Sequence, residues 1–370
     1  MTHGMLRGYA RPGVVAFTLV LLLVAAGCPR APRPPRPPEG GRIGHVIYIS
    51  VDGLRSDAVT ALGPELAPHF FRLRDEGAFT DNARTDPVIA NTLPNHASEF
   101  TGRGVFGRAG HGWFINDDPG APITLHLFKL SYVASVFDVA HDFGLSTALY
   151  ANKRKFSVFD RSWNEIHGAE DRTGGDNGRD KIDTYFFDDD MVAVANAFVG
   201  DLAKSDYNFA FLHLRQPDSI GHNSTWDLTP GSDYLNAVVE VDAVLGDILE
   251  LVATDRELVG TTTIILTSDH GGELGTTFHL LIPKAGLIES GIVPFYVWGQ
   301  GVPAGADLYA LNPTTRQDPG TSIPPFSDPL QPIRNGDAAN LSLDLLGLPP
   351  VSGSTINVAQ DLATNMTSPQ

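Results

Sequence analysis

The sequence contains a single cysteine, Cys28, among its 370 residues, which excludes a disulfide within the chain. Basic residues are also scarce: the chain has 26 Lys and Arg but 43 Asp and Glu, which gives a formal net charge of −17. Residues 1–42 contribute +5 to that balance, so the rest of the chain carries −22. Because nucleic-acid binding depends on Lys and Arg that neutralise phosphates, we expect no nucleic-acid partner. The composition, 42% hydrophobic and 19% charged, is that of a globular protein.

The N-terminal region lacks an apolar run long enough to span a membrane comfortably. Arg7 and Arg11 precede the apolar stretch 14–26, and the small residues before Cys28 resemble a bacterial lipobox. This resemblance implies cleavage before Cys28, a lipid on its sulfur, and export to a bacterial membrane, in the periplasm or at the cell surface. An ordinary signal peptide or a short anchor is the alternative, and a soluble mature chain without lipid would contradict the lipoprotein interpretation.

The composition divides the chain into four segments. We interpret residues 1–28 as a lipoprotein signal peptide and residues 29–42, which are rich in Pro and Arg, as an extended linker. Such a linker cannot pack a core, and it would hold the following domain away from the membrane. The folded domain is predicted over residues 43–358, and residues 359–370 are predicted to form a flexible tail.

Strand and helix patterns alternate through the folded segment. Runs of β-prone apolar residues predict strands at 45–51, 145–150, 207–214, 261–267 and 293–298. Other patterns predict helices at 67–76, 92–101, 132–143, 188–204, 232–253 and 338–346. This alternation predicts an α/β fold, with a mostly parallel central sheet and helices on both of its faces.

Metal-ligating residue types cluster after the predicted strands. Three carboxylates and three histidines share this placement: Asp52, Asp218, Asp269, His222, His270 and His279. Because the carboxyl ends of parallel strands meet at one edge of a sheet, we expect these side chains to lie together. A mixed set of oxygen and nitrogen ligands suits zinc-like ions better than magnesium, so we predict two divalent metal ions, with zinc favoured. Taken singly, each residue could equally belong to a turn or to the surface.

The stretch 91–98, NTLPNHAS, begins a predicted helix. Thr92 lies near the N-cap, and Pro94 occupies a first-turn position where its missing N–H costs nothing. The hydroxyl therefore lies beside unpaired N–H groups and the positive end of the helix dipole, where an oxygen can attack an anionic phosphate. Contact with a metal ion would lower the pKa of that hydroxyl, so no histidine base is needed. On this stretch alone, a simple helix cap is the alternative.

In their order along the chain, these motifs resemble the alkaline phosphatase superfamily, and within it the type I phosphodiesterase/nucleotide pyrophosphatase branch. The residues that match are Asp52, Thr92-Leu-Pro-Asn-His96, Asp218-Ser-Ile-Gly-His222, Ser268-Asp-His-Gly271, His279 and Gly347-Leu-Pro-Pro-Val-Ser-Gly353. The resemblance implies an alkaline-phosphatase-like three-layer α/β/α sandwich. It also implies one metal ion bound by Asp52, Asp269, His270 and the Thr92 hydroxyl, and a second bound by Asp218, His222 and His279.

The same resemblance implies the reaction. Thr92 would form a covalent phospho-enzyme that water then hydrolyses, and Asn116 would donate a hydrogen bond to a phosphoryl oxygen. We therefore predict a metal-dependent phosphoric ester hydrolase that acts on small-molecule phosphodiesters. A sulfatase is disfavoured, because sulfatases share the fold but use Cys or Ser in a Cys/Ser-x-Pro-x-Arg context, where this chain has Thr92-x-Pro94-x-His96.

Two features depart from the nucleotide pyrophosphatases. In that branch a long insertion lies between the Asp-His pair and the last histidine and helps to bind the nucleotide. In this chain only residues 271–278 separate His270 from His279. Lys153 and Lys155 follow a predicted strand, where a monoesterase branch has a basic pair that neutralises the extra charge of a phosphate monoester. A solvated basic loop is the alternative for these two lysines.

These departures leave three functions open. Phosphodiester hydrolysis is preferred, and a phosphomonoesterase that uses Lys153 and Lys155 is the first alternative. A non-catalytic lipoprotein that binds metal or phosphate is the second. All seven residues of the implied metal sites are present, which argues against a loss of catalysis.

Overall fold

The computed structural model describes residues 1, 43–174, 178–205, 207–283 and 288–365. The predicted signal peptide (apart from Met1), the linker and Cys28 with its proposed lipid lie outside the described residues. The last five residues of the predicted tail, 366–370, also lie outside them. Within the described ranges, no helix is both long enough and apolar enough to cross a membrane.

Eight strands form one sheet among the described residues. They are β1 (His45–Val51), β2 (Ala78–Arg84), β3 (Thr147–Ala151), β4 (Thr184–Phe187), β5 (Phe209–Leu214), β6 (Thr262–Thr267), β7 (Ile292–Gly299) and β8 (Ala306–Asp307). Their order across the sheet is β4-β3-β5-β1-β6-β7-β2-β8. The strands from β4 to β6 in this order pair in parallel, whereas β7 runs antiparallel to both β6 and β2. The mostly parallel sheet expected from the sequence is confirmed.

Helices connect the strands in the described ranges. In chain order they are α1 (Ser56–Leu66), α2 (Pro68–Glu76), α3 (Thr92–Thr101), α4 (Leu125–Lys129), α5 (Val136–Asp142), α6 (Ser157–Trp163), α7 (Met191–Leu202), α8 (Gln216–Asn223), α9 (Asp233–Thr254), α10 (Leu308–Leu311) and α11 (Asp337–Leu345). Short 3₁₀ helices lie at Arg154–Phe156 and Glu289–Gly291.

Helices cover both faces of the sheet. Every residue of β1 is buried, and its alternate side chains enter two separate cores, with Val46 and Tyr48 in one and Ile47 and Ile49 in the other. Side chains of α3, α5, α6 and α11 belong to the first core, and those of α1, α2, α7 and α9 belong to the second. The architecture is therefore the predicted three-layer α/β/α sandwich.

Two helices begin later than the sequence patterns predict, because a polar side chain caps each of them. The helix expected from residue 132 begins at Val136, where Ser135 and Asp138 form a reciprocal capping box. The helix expected from residue 188 begins at Met191, because the Asp190 carboxylate accepts backbone N–H groups of the first turn. In both cases the residues before the cap were wrongly included in the predicted helix.

The predicted flexible tail is packed against the body over residues 359–365. Leu362 is buried, and the backbone of Ala363 exchanges two hydrogen bonds with the side chain of Asn312. Asp361 adds an ion pair with Arg316 at 2.9 Å. The expectation of a loose segment from residue 359 therefore does not hold for these residues, because apolar burial and polar contacts fix them to the domain.

Helix α3 is buried along its whole length. Phe100 anchors it, since its ring packs edge-on against Phe211 and Phe159 with centroid distances of 4.6 and 4.9 Å. Phe211 lies on β5 and Phe159 lies on α6. One phenyl ring therefore ties α3 both to the sheet and to a neighbouring helix.

We expect Phe100→Ala to lower the free energy of unfolding by about 3–5 kcal/mol, the usual cost of deleting a buried phenyl ring. Urea denaturation followed by circular dichroism measures this change. Phe106→Ala is the matched control, because Phe106 is half exposed and its truncation leaves no closed cavity. Equal unfolding midpoints for the two variants would show that this ring does not anchor α3.

Candidate metal centre

Four neighbouring parallel strands direct candidate residues to one edge of the sheet. Across the sheet these strands are β3, β5, β1 and β6. Lys153 follows β3, Asp218 follows β5, Asp52 follows β1 and Asp269 follows β6, each within four residues of the end of its strand. Parallel pairing places the carboxyl ends of all four strands on the same side. The fold thus brings together the three carboxylates that the sequence pattern selected, and it adds a lysine to them.

Asp218 lies on a helix that the sequence pattern did not predict. Strand β5 ends at Leu214, and Asp218 lies in the first turn of α8 with His222 one turn later. The i,i+4 spacing places both on one face of the helix, and Nε2 of His222 lies 3.3 Å from Oδ1 of Asp218. Nδ1 of His222 is hydrogen-bonded to the carbonyl oxygen of Thr277 at 3.0 Å. The helix, rather than the strand, therefore sets the position of this pair.

The Nε2 atom of His270 lies among three carboxylates. Its distances to the nearest oxygens of Asp269, Asp52 and Asp218 are 3.4, 3.5 and 3.7 Å. Two ligands of one tetrahedral zinc ion, each about 2.0–2.1 Å from it, lie about 3.3 Å apart. The separations around His270 therefore suit ligands that share a metal ion better than groups that hydrogen-bond one another.

The ligand atoms at this position have no other hydrogen-bond partner. In the part of the chain that the structure describes, Asp52 Oδ1, Asp218 Oδ1, Asp269 Oδ2 and His270 Nε2 are all buried and unbonded. The second nitrogen of His270, Nδ1, donates to the carbonyl of Gly271 at 2.7 Å, which leaves the lone pair on Nε2. Because buried polar atoms are rarely left unpaired, this convergence fits residues that bind a cation.

The three buried carboxylates face one ammonium group, that of Lys153. Its Nζ lies 2.6 Å from an oxygen of Asp52 and 2.6 Å from an oxygen of Asp218. Burial raises the pKa of Asp269 well above its usual range, and the charge of Asp52 adds to this shift. Burial would also raise the pKa of Asp52, but Lys153 and then His213 hold it well below that range. One ammonium does not balance three carboxylates, and divalent cations would complete the balance.

The candidate ligands form two overlapping groups. One group contains Asp52, Asp269 and His270, and the other contains Asp218, His270 and His279, each with ligand atoms within 4.8 Å of one another. The family resemblance assigned His270 to the first ion alone, whereas the structure places it between the two groups. Two predicted ligands, His222 and Thr92, are in neither group. His222 lies beside the second group, with its ring centroid 5.2 Å from that of His279.

Thr92 is the first residue of α3 rather than its cap. The cap is Asn91, whose side-chain oxygen accepts the backbone N–H of Thr92 at 3.1 Å. Thr92 thus lies next to the N-cap, and the alternative in which Thr92 is itself the cap is wrong. The threonine hydroxyl therefore has no capping role, and it lies at the positive end of the helix dipole.

Asn116 lies directly beside this helix start. Its Oδ1 accepts the backbone N–H of Leu93 at 3.0 Å and the ammonium of Lys155 at 2.9 Å. These two bonds fix the amide group and leave its Nδ2 as the remaining donor. Burial, and then the charge of Lys153, lower the pKa of Lys155 to about 8. Both predicted lysines therefore lie in the site, one against the carboxylates and the other against Asn116.

His96 connects the start of α3 to the candidate metal ligands. Its Nδ1 is hydrogen-bonded to the carbonyl oxygen of Thr92 at 2.8 Å and lies 3.8 Å from Oδ2 of Asp269. Its Nε2 accepts from the hydroxyl of Ser50 at 3.0 Å. Burial lowers the pKa of His96 well below its usual range, so the ring is neutral and carries its proton on Nδ1. A rigid buried ring therefore sets the spacing between Thr92 and Asp269.

A second buried histidine, His213, was not identified from the sequence. It lies within β5, and its Nε2 donates to Oδ2 of Asp52 at 2.9 Å. Burial lowers the pKa of His213 to about 4, so the ring is neutral near pH 7 and orients the carboxylate by hydrogen bonding. A lone histidine in the apolar run FAFLHL was the available signal.

Trp226 was also not identified, because its contacts are distant in the sequence. Its Nε1 donates to the carbonyl of Gly53, the residue after Asp52. Gly221 and Gly272 lie so close to the indole that a Cβ at either position would collide with it. Gly221 belongs to the turn between Asp218 and His222, and Gly272 follows His270 by two residues. One buried indole therefore packs against all three segments that carry the candidate metal ligands Asp52, Asp218 and His270.

The sequence matches one family profile, described as type I phosphodiesterase/nucleotide pyrophosphatase, over residues 46–105 and 132–318. These two ranges include all seven residues of the implied metal sites and both lysines, whereas Asn116 lies between them. No curated protein matches the sequence.

Solved structures with a similar fold come from more than one branch of the superfamily. Murine ectonucleotide pyrophosphatase/phosphodiesterase 5, solved as an inactive variant with AMP, is 16% identical with a TM-score of 0.55, over 86% of this chain and 99% of that one. A putative sulfatase from Bacteroides thetaiotaomicron is 12% identical with a TM-score of 0.56, over 89% and 76%. An alkaline phosphatase superfamily protein from Vibrio parahaemolyticus is 13% identical with a TM-score of 0.54, over 90% and 71%. At these identities the likeness shows the fold.

We expect His270→Ala to weaken zinc binding by about a hundredfold or more, because this ring contributes a ligand atom to both groups. The measurement is the zinc content of the purified protein after equilibration with a zinc buffer, by inductively coupled plasma mass spectrometry. His69→Ala, which removes a histidine outside both groups, is the control and should keep the wild-type zinc content. Equal zinc content in the two variants would exclude a metal centre at His270.

Proposed function

The chain belongs to the type I phosphodiesterase/nucleotide pyrophosphatase family, and from this premise we propose that it is a two-metal hydrolase of phosphodiesters. The observation that carries the proposal is the convergence of buried, unbonded ligand atoms from Asp52, Asp218, Asp269 and His270. Thr92, at the start of α3, carries a hydroxyl group. His96 connects this residue to the same place, since its Nδ1 is hydrogen-bonded to the Thr92 carbonyl and lies near the Asp269 carboxylate. Ligand atoms and a nucleophile in one site are the parts that metal-assisted phosphoryl transfer requires.

Two divalent ions, which we propose to be zinc, would be held by the two ligand groups, with Thr92 beside the first and His222 beside the second. When bound, such ions lower the pKa of a hydroxyl group and neutralise charge that develops on the phosphoryl oxygens. The chain holds the ligand side chains in place for this purpose, since His213 orients Asp52 and the Gly271 carbonyl orients His270.

Thr92 is the proposed nucleophile. Its Oγ1 forms a bond to phosphorus while the bond from phosphorus to one ester oxygen breaks, and that oxygen leaves as an alcohol after taking up a proton. The proton of the Thr92 hydroxyl is released to solvent. The resulting phosphothreonine still carries the second ester arm of the substrate. The positive end of α3 favours negative charge on the attacking oxygen and on the phosphoryl group.

Asn116 is the proposed donor to a phosphoryl oxygen. Its Oδ1 is held by Leu93 and Lys155, so its Nδ2 is preorganised as a donor before the substrate binds. In the second half of the reaction a water oxygen bonds to phosphorus, the Oγ1–P bond breaks, and Thr92 regains a proton. The product is a phosphate monoester.

We propose small-molecule phosphodiesters, rather than one particular nucleotide, as the substrates. The murine relative was solved with AMP. In this chain, however, residues 271–278 are the whole connection between His270 and His279. A connection of this length cannot supply the additional nucleotide-binding segment that the family resemblance leads us to expect.

We also propose that the chain is exported and attached to a bacterial membrane by a lipid on Cys28, in the periplasm or at the cell surface. This part of the proposal rests on the basic start, the apolar stretch 14–26 and the small residues that precede the single cysteine.

Phosphomonoester hydrolysis is the second candidate function, and one observation favours it. Both Lys153 and Lys155 lie in the site, bonded to Asp218 and to Asn116. A monoester carries one more negative charge than a diester, and two ammonium groups beside the phosphoryl site would offset that charge. The diester proposal stays first because of the family assignment.

We expect Thr92→Ala to lower the kcat for bis(4-nitrophenyl) phosphate by about a thousandfold or more, since loss of a covalent nucleophile disables the catalytic unit. Mass spectrometry of peptides from quenched wild-type reactions should find the phosphoryl adduct on Thr92 alone. Thr60→Ala, a change at an exposed threonine of α1, is the matched control. Wild-type turnover by Thr92→Ala would refute the assignment of the nucleophile.

We expect the wild-type chain to prefer bis(4-nitrophenyl) phosphate over 4-nitrophenyl phosphate. Lys155→Ala should lower kcat/KM for the monoester about tenfold more than for the diester, because the monoester has the additional charge. Lys129→Ala, which removes an ammonium bonded to the carbonyls of residues 107 and 108, is the control. A wild-type preference for the monoester that Lys155→Ala abolishes would reverse the order of the two candidate functions.

A further inference from the structure

A basic cleft of about 800 Å³ opens next to the proposed phosphoryl site. Lys153 and Lys155 form its inner end, and the other cationic and aromatic side chains that line it are Arg154, Arg161, Arg215, Tyr185 and Phe187. Because Lys155 is bonded to Asn116, the cleft begins where the phosphoryl group would bind. Its outer part is not used by the reaction described above.

The cleft concentrates cations in a chain that is otherwise acidic. Five Lys and Arg line it, although the chain as a whole carries a formal charge of −17. The carboxylates that line it are Asp117 and Asp118. Asp118 is already neutralised, since it forms an ion pair with Arg161 and accepts the Ser157 hydroxyl at 2.6 Å, which lower its pKa. Lys153 and Arg215 are also paired, with Asp52 and Asp218 and with Asp189. Arg154 and Lys155 remain against Asp117, so the unpaired groups of the cleft are net positive.

Arg154 is the cation of this cleft that is most available to a ligand. Its guanidinium group lies over the ring of Phe187 at 5.0 Å, and in the described ranges it forms no ion pair. Stacking on an aromatic face holds a planar guanidinium in one orientation without using its N–H donors. Those donors are therefore preorganised to bind an anion.

Two further donors of the cleft are buried and unpaired. Nε of Arg215 and Oη of Tyr185 have no hydrogen-bond partner among the described residues, although Nη1 of Arg215 bonds Asp189 at 3.2 Å. Unpaired buried donors beside an exposed guanidinium indicate a place for acceptor oxygens. An apolar ligand would leave these donors unsatisfied.

We propose that this cleft binds a second anionic group of the substrate, carried on the ester arm that remains attached to Thr92. The proposal rests on the phosphodiesterase function above and names its substrate class. The preferred substrates are phosphodiesters in which one alcohol bears a carboxylate or a phosphate-like group. Arg154, whose side chain is exposed and stacked on Phe187, binds this group directly.

The test compares three 4-nitrophenyl phosphodiesters with the same leaving group, whose second arms are propyl, 2-carboxyethyl and 2-phosphonoethyl. We expect the purified full-length chain to show kcat/KM about tenfold or more higher for the two anionic arms, as expected for a charge-assisted hydrogen-bonded pair. Arg154→Ala should remove most of this preference. Arg256→Ala, which removes an exposed arginine outside the cleft, should keep it.

Equal kcat/KM for the three arms in the wild-type chain would overturn the proposal and leave the phosphodiesterase function standing. An anionic preference that persists in Arg154→Ala would overturn it as well. If no diester is hydrolysed, the proposed function fails. The binding of 3-phosphonopropionate, measured by isothermal titration calorimetry, then tests whether the cleft is an anion site. Binding that weakens in Arg154→Ala but not in Arg256→Ala supports the anion site, and equal binding by both variants overturns it.

Discussion

Three carboxylates buried at the edge of a parallel sheet are the constraint on which the site depends. A buried charge without a partner is costly, and Asp52, Asp218 and Asp269 lie close enough to repel one another. The chain offsets this repulsion partly with Lys153 and with the neutral ring of His213. The remaining imbalance is what makes the place suited to divalent cations, because binding a cation there also stabilises the folded chain.

The sheet order explains why these groups meet at all. Strands β3, β5, β1 and β6 are separated in the sequence by whole helices, yet they lie side by side and end on one edge. The two helix layers then approach that edge from opposite faces. Helix α3, with Thr92 at its start, packs in one core, while Ile220 of α8 packs against the other. Thr92, the proposed nucleophile, and the Asp218–His222 pair thus reach the site from different sides of the sheet.

Local patterns were sufficient to predict the parts of the fold that are buried on both faces. Strands β1, β5 and β6 are continuous apolar runs, and the sequence located each within two residues of its observed bounds. Strand β2, with the sequence AFTDNAR, the four-residue β4 and the two-residue β8 were not predicted, because their polar or short sequences lack a strand pattern. Helix α1 was not predicted, because Gly63 and Pro64 are poor helix formers and interrupt the helical pattern of its sequence.

The candidate site could be predicted in its residue types but not in its geometry. Motifs such as Asp269-His270 carry their chemistry in adjacent residues, so they are visible in a single sequence. His270 belongs to both ligand groups because segments that follow different strands pack together. A local sequence pattern does not contain this information. Trp226 could not be identified for the same reason, because the three glycines that it contacts belong to helix α8 and to two loops that are distant in the sequence. That indole fixes the ligand loops as one packed unit, whereas Arg154 lies exposed on Phe187 at the other end of the site. A substitution of Arg154 therefore leaves the contacts of the carboxylates in place, because Arg154 stacks on Phe187. A substitution of Lys153 would disturb them, because its ammonium bonds both Asp52 and Asp218.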